Sequence, residues 1–84
     1  MTQTAFSGTR AETLELDARG LNCPLPILKL KKAIAALEPG GRVRLVATDP
    51  GSLKDVEAFC HQTGAVLEEA AASGGEFRFI VRKA

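Results

Sequence analysis

Apolar and polar positions follow two rhythms along this chain. Leu14, Leu16 and Ala18 alternate with Glu15 and Asp17, the period of a half-buried strand. Arg19-Gly20-Leu21-Asn22 breaks that strand. Ile27, Leu30, Ile34 and Leu37 then recur at helical spacing, while Lys29, Lys31, Lys32 and Glu38 occupy the rest of the cylinder, so an amphipathic helix is predicted. Pro24 and Pro26 fall in its first turn, where amide hydrogens have no intrahelical partner to lose. Pro39-Gly40-Gly41 stops it. Residues 42–48 form a second strand with Val43, Leu45 and Ala47 on one face. Asp49-Pro50-Gly51-Ser52 opens a second helix. Either Asp49 caps it with Pro50 behind, or Ser52 caps it with Asp55 three residues on. Leu53, Val56, Phe59, Cys60 and Thr63 make its apolar stripe, and Gly64 ends it. Residues 65–72 and 76–83 are two further strands, joined by a turn at Ser73-Gly74-Gly75.

The order is βαβαββ, which suits an α+β two-layer sandwich: a four-stranded sheet with both helices on one face. Right-handed βα crossovers would make the first two strands parallel. Both helix N-termini then emerge at one edge, and the Cys23 loop becomes a neighbour of the Asp49–Ser52 loop. In open sheets that edge is where ligands bind. Residues 1–11 read as a flexible N-terminal tail, and 12–84 as one domain.

Composition narrows the class. A chain of 84 residues has room for one domain, and 45% hydrophobic with 25% charged residues describes a globular one. Eleven basic against ten acidic side chains give +1, so no overall field attracts nucleic acid or lipid. Two cysteines are too few for a disulfide scaffold or a four-thiolate zinc site. No apolar run approaches the ~20 residues of a membrane span, and the start lacks the charged and apolar regions of a secretory signal. A cytoplasmic monomer with reduced thiols is expected.

Cys23 carries the candidate chemistry. At the N-cap of the first helix it would feel roughly half a positive charge, which stabilises a thiolate. Pro24 and Pro26 stiffen its mount, and the amides of Leu25 and Ile27 are left as donors to sulfur. The setting should lower the thiol pKa, with help from Arg19 and Lys29 if they lie close. An isolated cysteine is commonly a small buried hydrophobe. Cys60, beside Phe59 on the apolar stripe, fits that description, and the Cys-Pro-x-Pro setting argues against it for Cys23.

Other chemistries find less support. A metal site would need Cys23, Cys60 and His61 to converge, yet adjacent helical residues point about 100° apart. His61 is expected to face solvent. Asp17 and Asp49 could be a carboxylate pair, or simply turn and cap residues. Gly40-Gly41 and Gly74-Gly75 sit in turns and match no phosphate-binding loop. Lys29, Lys31 and Lys32 form a solvated face that could also dock an acidic partner.

The segment Leu16-Asp17-Ala18-Arg19-Gly20-Leu21-Asn22-Cys23-Pro24-Leu25-Pro26 resembles the D-x-x-G-x-x-C-P-x-P signature of the TusA-like (SirA-like) sulfur-carrier family. The resemblance continues through Pro39-Gly40, Asp49-Pro50 and Phe59-Cys60 and covers about residues 13–83. It implies a fold similar to the C-terminal domain of translation initiation factor three. It also implies a sulfurtransferase-type carrier whose Cys23 accepts a sulfane sulfur from a cysteine desulfurase or rhodanese-type donor and hands it to an acceptor protein. Outlets in the family include tRNA thiolation, molybdenum-cofactor assembly and sulfur oxidation. No cofactor is implied, because the sulfur travels as a covalent persulfide. Asp17, Gly20, Pro24, Pro26 and Asp49 are the supporting residues, and Arg19, Lys29, Lys31 and Lys32 the docking candidates. Leu25 stands where some tRNA-thiolating members carry an acid, which favours a paralogue serving another pathway. The alternative is a regulatory or adaptor domain of the same fold with a redox- or selenium-linked role. Nucleic-acid binding gains little from a charge of +1.

Overall fold

Strand alternation buries one face and leaves the other in water, and the computed structural model, which describes residues 13–84, follows that rule closely. The tail expected at 1–11 lies outside the described residues. The elements are β1 (Thr13–Ala18), α1 (Leu25–Ala35), β2 (Arg42–Ala47), α2 (Ser52–Thr63), β3 (Val66–Ser73) and β4 (Glu76–Arg82). They form a four-stranded mixed sheet in the order β1-β2-β4-β3. As expected, β1 and β2 are parallel, with Leu16 opposite Leu45. β4 runs antiparallel to both β2 and β3. The β2-α2-β3 connection therefore crosses over β4.

Register aligns the apolar positions into one surface: Ala18 beside Ala47, Leu45 beside Phe79, Val43 beside Val81. All six are buried, and α1 covers them from the β1–β2 side through Leu30 and Ile34. α2 closes the β3–β4 side through Val56, Phe59 and Cys60. The opposite sheet face is polar. There Glu68, at an irregularity of β3, accepts from Arg42 Nε at 2.6 Å and from Arg82 Nε at 2.8 Å.

The turn between β3 and β4 is tighter than the three residues expected. Gly74 and Gly75 alone form it, at φ 58° and 81°. Positive φ at both central positions is the condition of a type I′ hairpin, which only glycine meets without strain. The apolar stripe of α2 is shorter than expected at both ends. Leu53 is 39% exposed, and Thr63 faces solvent with its hydroxyl donated to the Phe59 carbonyl. Neither cap proposed for α2 forms. Gly51 is the N-cap residue, and Asp49 turns back earlier, its Oδ2 accepting from the Gly51 amide at 3.1 Å. Ser52 is the first helical residue, buried, with its hydroxyl donated to the Asp49 carbonyl at 2.7 Å.

Candidate functional site

Two parallel strands that end side by side deliver their following loops to the same edge of the sheet. The loop after β1 carries Cys23 and the loop after β2 leads into α2. One hydrogen bond ties them together, from the Gly20 amide to Thr48 Oγ1 at 2.8 Å. Gly20 holds φ 80° to make that contact. Asp17 shapes the same turn: its Oδ1 accepts from the Arg19 amide at 3.0 Å. Asp17 and Gly20, two of the expected supporting residues, are thus placed in the turn that precedes Cys23.

Cys23 lies one residue further from α1 than expected. Pro24 is the N-cap residue, Leu25 the first helical residue and Pro26 the second, so both prolines sit where a missing amide costs no helical bond. Pro26 is buried, and the Cys23–Pro24 peptide bond is cis. The Leu25 amide, expected as a donor to sulfur, donates to the Asn22 carbonyl at 2.8 Å. Cys23 itself is exposed, while Cys60 is buried in the core as expected. The two thiols are therefore sharply unlike in access.

The sulfur faces a groove of about 290 Å³ between α1 and α2. Pro24, Ile27 and Lys31 line it from α1, and Asp55, Ala58 and Phe59 from α2. Asp55 is not marked as a site residue by its place in the sequence, where it looks like the second half of a capping box. Hydrogen bonding to its carboxylate, partial desolvation, and the negative charges of Asp55 and Asp49 all push the Cys23 thiol above its ordinary pKa. This overturns the expected lowering. At the helix start Pro26 has no N–H and the Leu25 amide is already spent. The cations expected to assist are committed elsewhere. Arg19 pairs with Asp17 at 3.0 Å and with Glu76 at 3.5 Å, and Lys29 Nζ reaches the Asp17 carbonyl at 3.4 Å. Of the docking candidates, only Lys31 lines the groove, and Lys29, Lys31 and Lys32 are all exposed.

Asp17 and Asp49 do not act as a pair. Arg19 engages both Asp17 oxygens and draws its pKa down to about 2, whereas Asp49 is occupied with Gly51 and contributes charge towards Cys23. His61 is exposed, and among the described residues no three His, Cys, Asp or Glu side chains are grouped to hold a metal ion. A shallow depression of about 660 Å³ on the polar sheet face is lined by paired groups such as Glu15, Arg44, Glu76 and Arg78. It contains no nucleophile. No helix among the described residues is long and apolar enough to cross a membrane.

Fold and site together define a small α+β sandwich that presents one accessible cysteine at a proline-bounded helix start, beside a short interhelical groove. The family model described as "Sulfurtransferase TusA" matches residues 14–83. The chain is 54% identical over 69 residues to a sulfur carrier protein TusA of Allochromatium vinosum, covering 82% of this chain and 91% of that one. A Neisseria meningitidis protein is 49% identical over 67 residues, covering 80% of this chain and 90% of its own. A sulfur carrier protein TusA of Pseudomonas aeruginosa is 40% identical over 68 residues, covering 81% and 86%. The chain belongs to the TusA family.

Proposed function

We propose that the chain is a sulfur-relay protein that carries a persulfide on Cys23. The observation that carries this reading is an exposed cysteine, held at a groove between two helices, in a chain whose relatives are named sulfur carrier proteins. In loading, Cys23 Sγ attacks the outer sulfur of a donor persulfide. The new S–S bond forms, the donor's S–S bond breaks, and the donor cysteine leaves with the electron pair and the proton from Cys23. In unloading, an acceptor thiolate attacks the outer sulfur, the bond to Sγ breaks, and Cys23 leaves as a thiolate that regains a proton. No electron is gained or lost overall. The sulfur is held covalently, so the reaction calls for no cofactor.

The finer reading is a cytoplasmic carrier, acting as a monomer, with a cysteine desulfurase or rhodanese-type donor and a protein acceptor. The acceptor would feed tRNA thiolation, molybdenum-cofactor assembly or sulfur oxidation. Leu25, 47% exposed at the first position of α1, stands where some tRNA-thiolating members of the family carry an acid. That favours an outlet other than tRNA thiolation. Lys31 in the groove, with Lys29 and Lys32 beyond it, is a docking surface for an acidic partner.

Mass spectrometry after incubation with a cysteine desulfurase and cysteine tests the reading directly. The wild-type chain gains the mass of sulfur and Cys23→Ser does not. No gain in the wild type, or an equal gain in Cys23→Ser, refutes it.

A further inference from the structure

A carrier has a difficulty that an enzyme nucleophile does not. Its loaded cysteine must cross water that contains small thiols without giving up its sulfur. When a small thiol attacks the outer sulfur, the carrier's own sulfur must leave as a thiolate, and a thiol of lower pKa leaves faster. Attack on the inner sulfur instead expels hydrosulfide and leaves Cys23 in a mixed disulfide. The surroundings of Cys23 therefore bear on how long it keeps its cargo.

Those surroundings are acidic. From α2 Asp55 faces the thiol across the groove, and from the loop before α2 Asp49 adds a second negative charge at longer range. From α1 the single groove cation is Lys31. Among the described residues Lys31 and Asp55 form no ion pair, so the carboxylate is not neutralised within the groove. Arg19 and Lys29 are turned to Asp17. Asp55 makes no side-chain cap of α2, although as an acid in the first turn it also meets the positive end of that helix.

We propose that Asp55 is a positioning residue for sulfur retention: its carboxylate, set against Cys23 across the α1–α2 groove, opposes departure of the Cys23 sulfur as a thiolate in the free protein. The inference rests on the carrier reading and deepens it. Hydrogen bonding to the carboxylate and its negative charge both raise the thiol's proton affinity, in keeping with this role. A partner that presents a basic side chain to Asp55 on docking removes the opposition, and the sulfur leaves towards that partner. Free carrier and docked carrier then differ in leaving-group quality without any change of fold.

The full chain and its Asp55→Asn and Asp55→Glu variants test this. Each is loaded with inorganic polysulfide, cleared of excess, and mixed with the monothiol 2-mercaptoethanol at neutral pH, and loss of the persulfide to free thiol, as distinct from mixed disulfide, is followed by mass spectrometry. In parallel, thiolate absorbance is titrated, with the Cys23→Ser chain as the blank that removes Cys60. Asp55→Asn is expected to lose sulfur several-fold faster and to show a lower thiolate midpoint, and Asp55→Glu to stay near wild type. A wild-type loss rate or an unmoved midpoint in Asp55→Asn overturns the assignment. If circular dichroism shows that Asp55→Asn does not fold, Asp55→Ser is held to the same two criteria. Failure of every chain to take up sulfur is a different outcome: it refutes the carrier reading itself.

Discussion

Gly20 offers a matched test of whether the loop before Cys23 is held for the sake of the site. Its φ of 80° lies in the left-handed region, and a methyl group added there meets nothing within 4 Å. The cost of Gly20→Ala is therefore conformational rather than steric, roughly 1–2 kcal/mol. For a domain of this size each kcal/mol lowers Tm by roughly 4–8 °C. Gly74, at φ 58° in the β3–β4 turn, likewise has open space for 4 Å around an added methyl, so Gly74→Ala carries the same kind of cost in the hairpin turn rather than in the Cys23 loop. Urea unfolding of both variants should show similar losses of stability. Sulfur uptake should separate them. An alanine that relaxes out of the left-handed region draws the Gly20 amide from Thr48 and moves the segment carrying Cys23. Gly20→Ala should load several-fold more slowly than Gly74→Ala at temperatures where both are folded. Equal loading in the two, or no loss of stability in Gly20→Ala, refutes the reasoning.

Three further outcomes follow from the same structure. Phe79 is 1% exposed at the centre of the sheet, and Phe79→Ala should cost roughly 3–5 kcal/mol in urea unfolding, a large share of a typical total of ~5–15 kcal/mol. Cys60→Ala removes a buried sulfur and should cost about 1 kcal/mol while leaving persulfide loading intact; loss of loading would show that Cys60 takes part in the chemistry. Asp17 titrates at about 2 in the folded chain against 3.8 ordinarily, so its stabilising effect is present above pH 3.8 and is lost as pH falls through about 2. Urea midpoints of wild type and Asp17→Asn should differ at neutral pH, draw together as pH falls from 3.8 and converge below the folded pKa of about 2, and differ less in high salt because the pair with Arg19 is exposed.

What can be read from the sequence is what depends on neighbours in the chain. The period-two runs place Val43, Leu45 and Ala47 on the buried face, and the parallel β1–β2 pairing follows from crossover handedness. Gly64 ends α2 at φ 81°, as its position after the apolar stripe implies. The first-turn prolines of α1 are legible to within one residue, since an N-cap and the residue before it look alike until the backbone turns. The start of α2 misleads for a related reason. Asp49, Ser52 and Asp55 all have the chemistry of caps, and the chain satisfies itself another way by turning Asp49 onto Gly51 and Ser52 before the helix begins.

Asp55 lies beyond such reasoning because its place in the groove with Cys23 is a product of how α1 and α2 sit on the sheet. The two residues are far apart in sequence, and nothing local distinguishes an acid that faces a neighbouring helix from one that faces water. The sequence signal available is weaker: Asp55 belongs to the first turn of α2, at the same sheet edge as Cys23. Its consequence reverses the expected chemistry. A helix N-terminus acts on a thiol through free first-turn amides, and here one is absent at Pro26 and another is given to Asn22. Asp55, lining the groove opposite Cys23, carries a whole negative charge, and the thiol pKa is raised. Thiol reactivity in the isolated chain does not separate a carrier from an adaptor, because both would hold the proton on Cys23 while alone. Only uptake and release of sulfur separate them. A reactive thiolate on permanent display would suit an enzyme that meets its substrate at once; a thiol held in reserve suits a protein whose reaction waits for a partner.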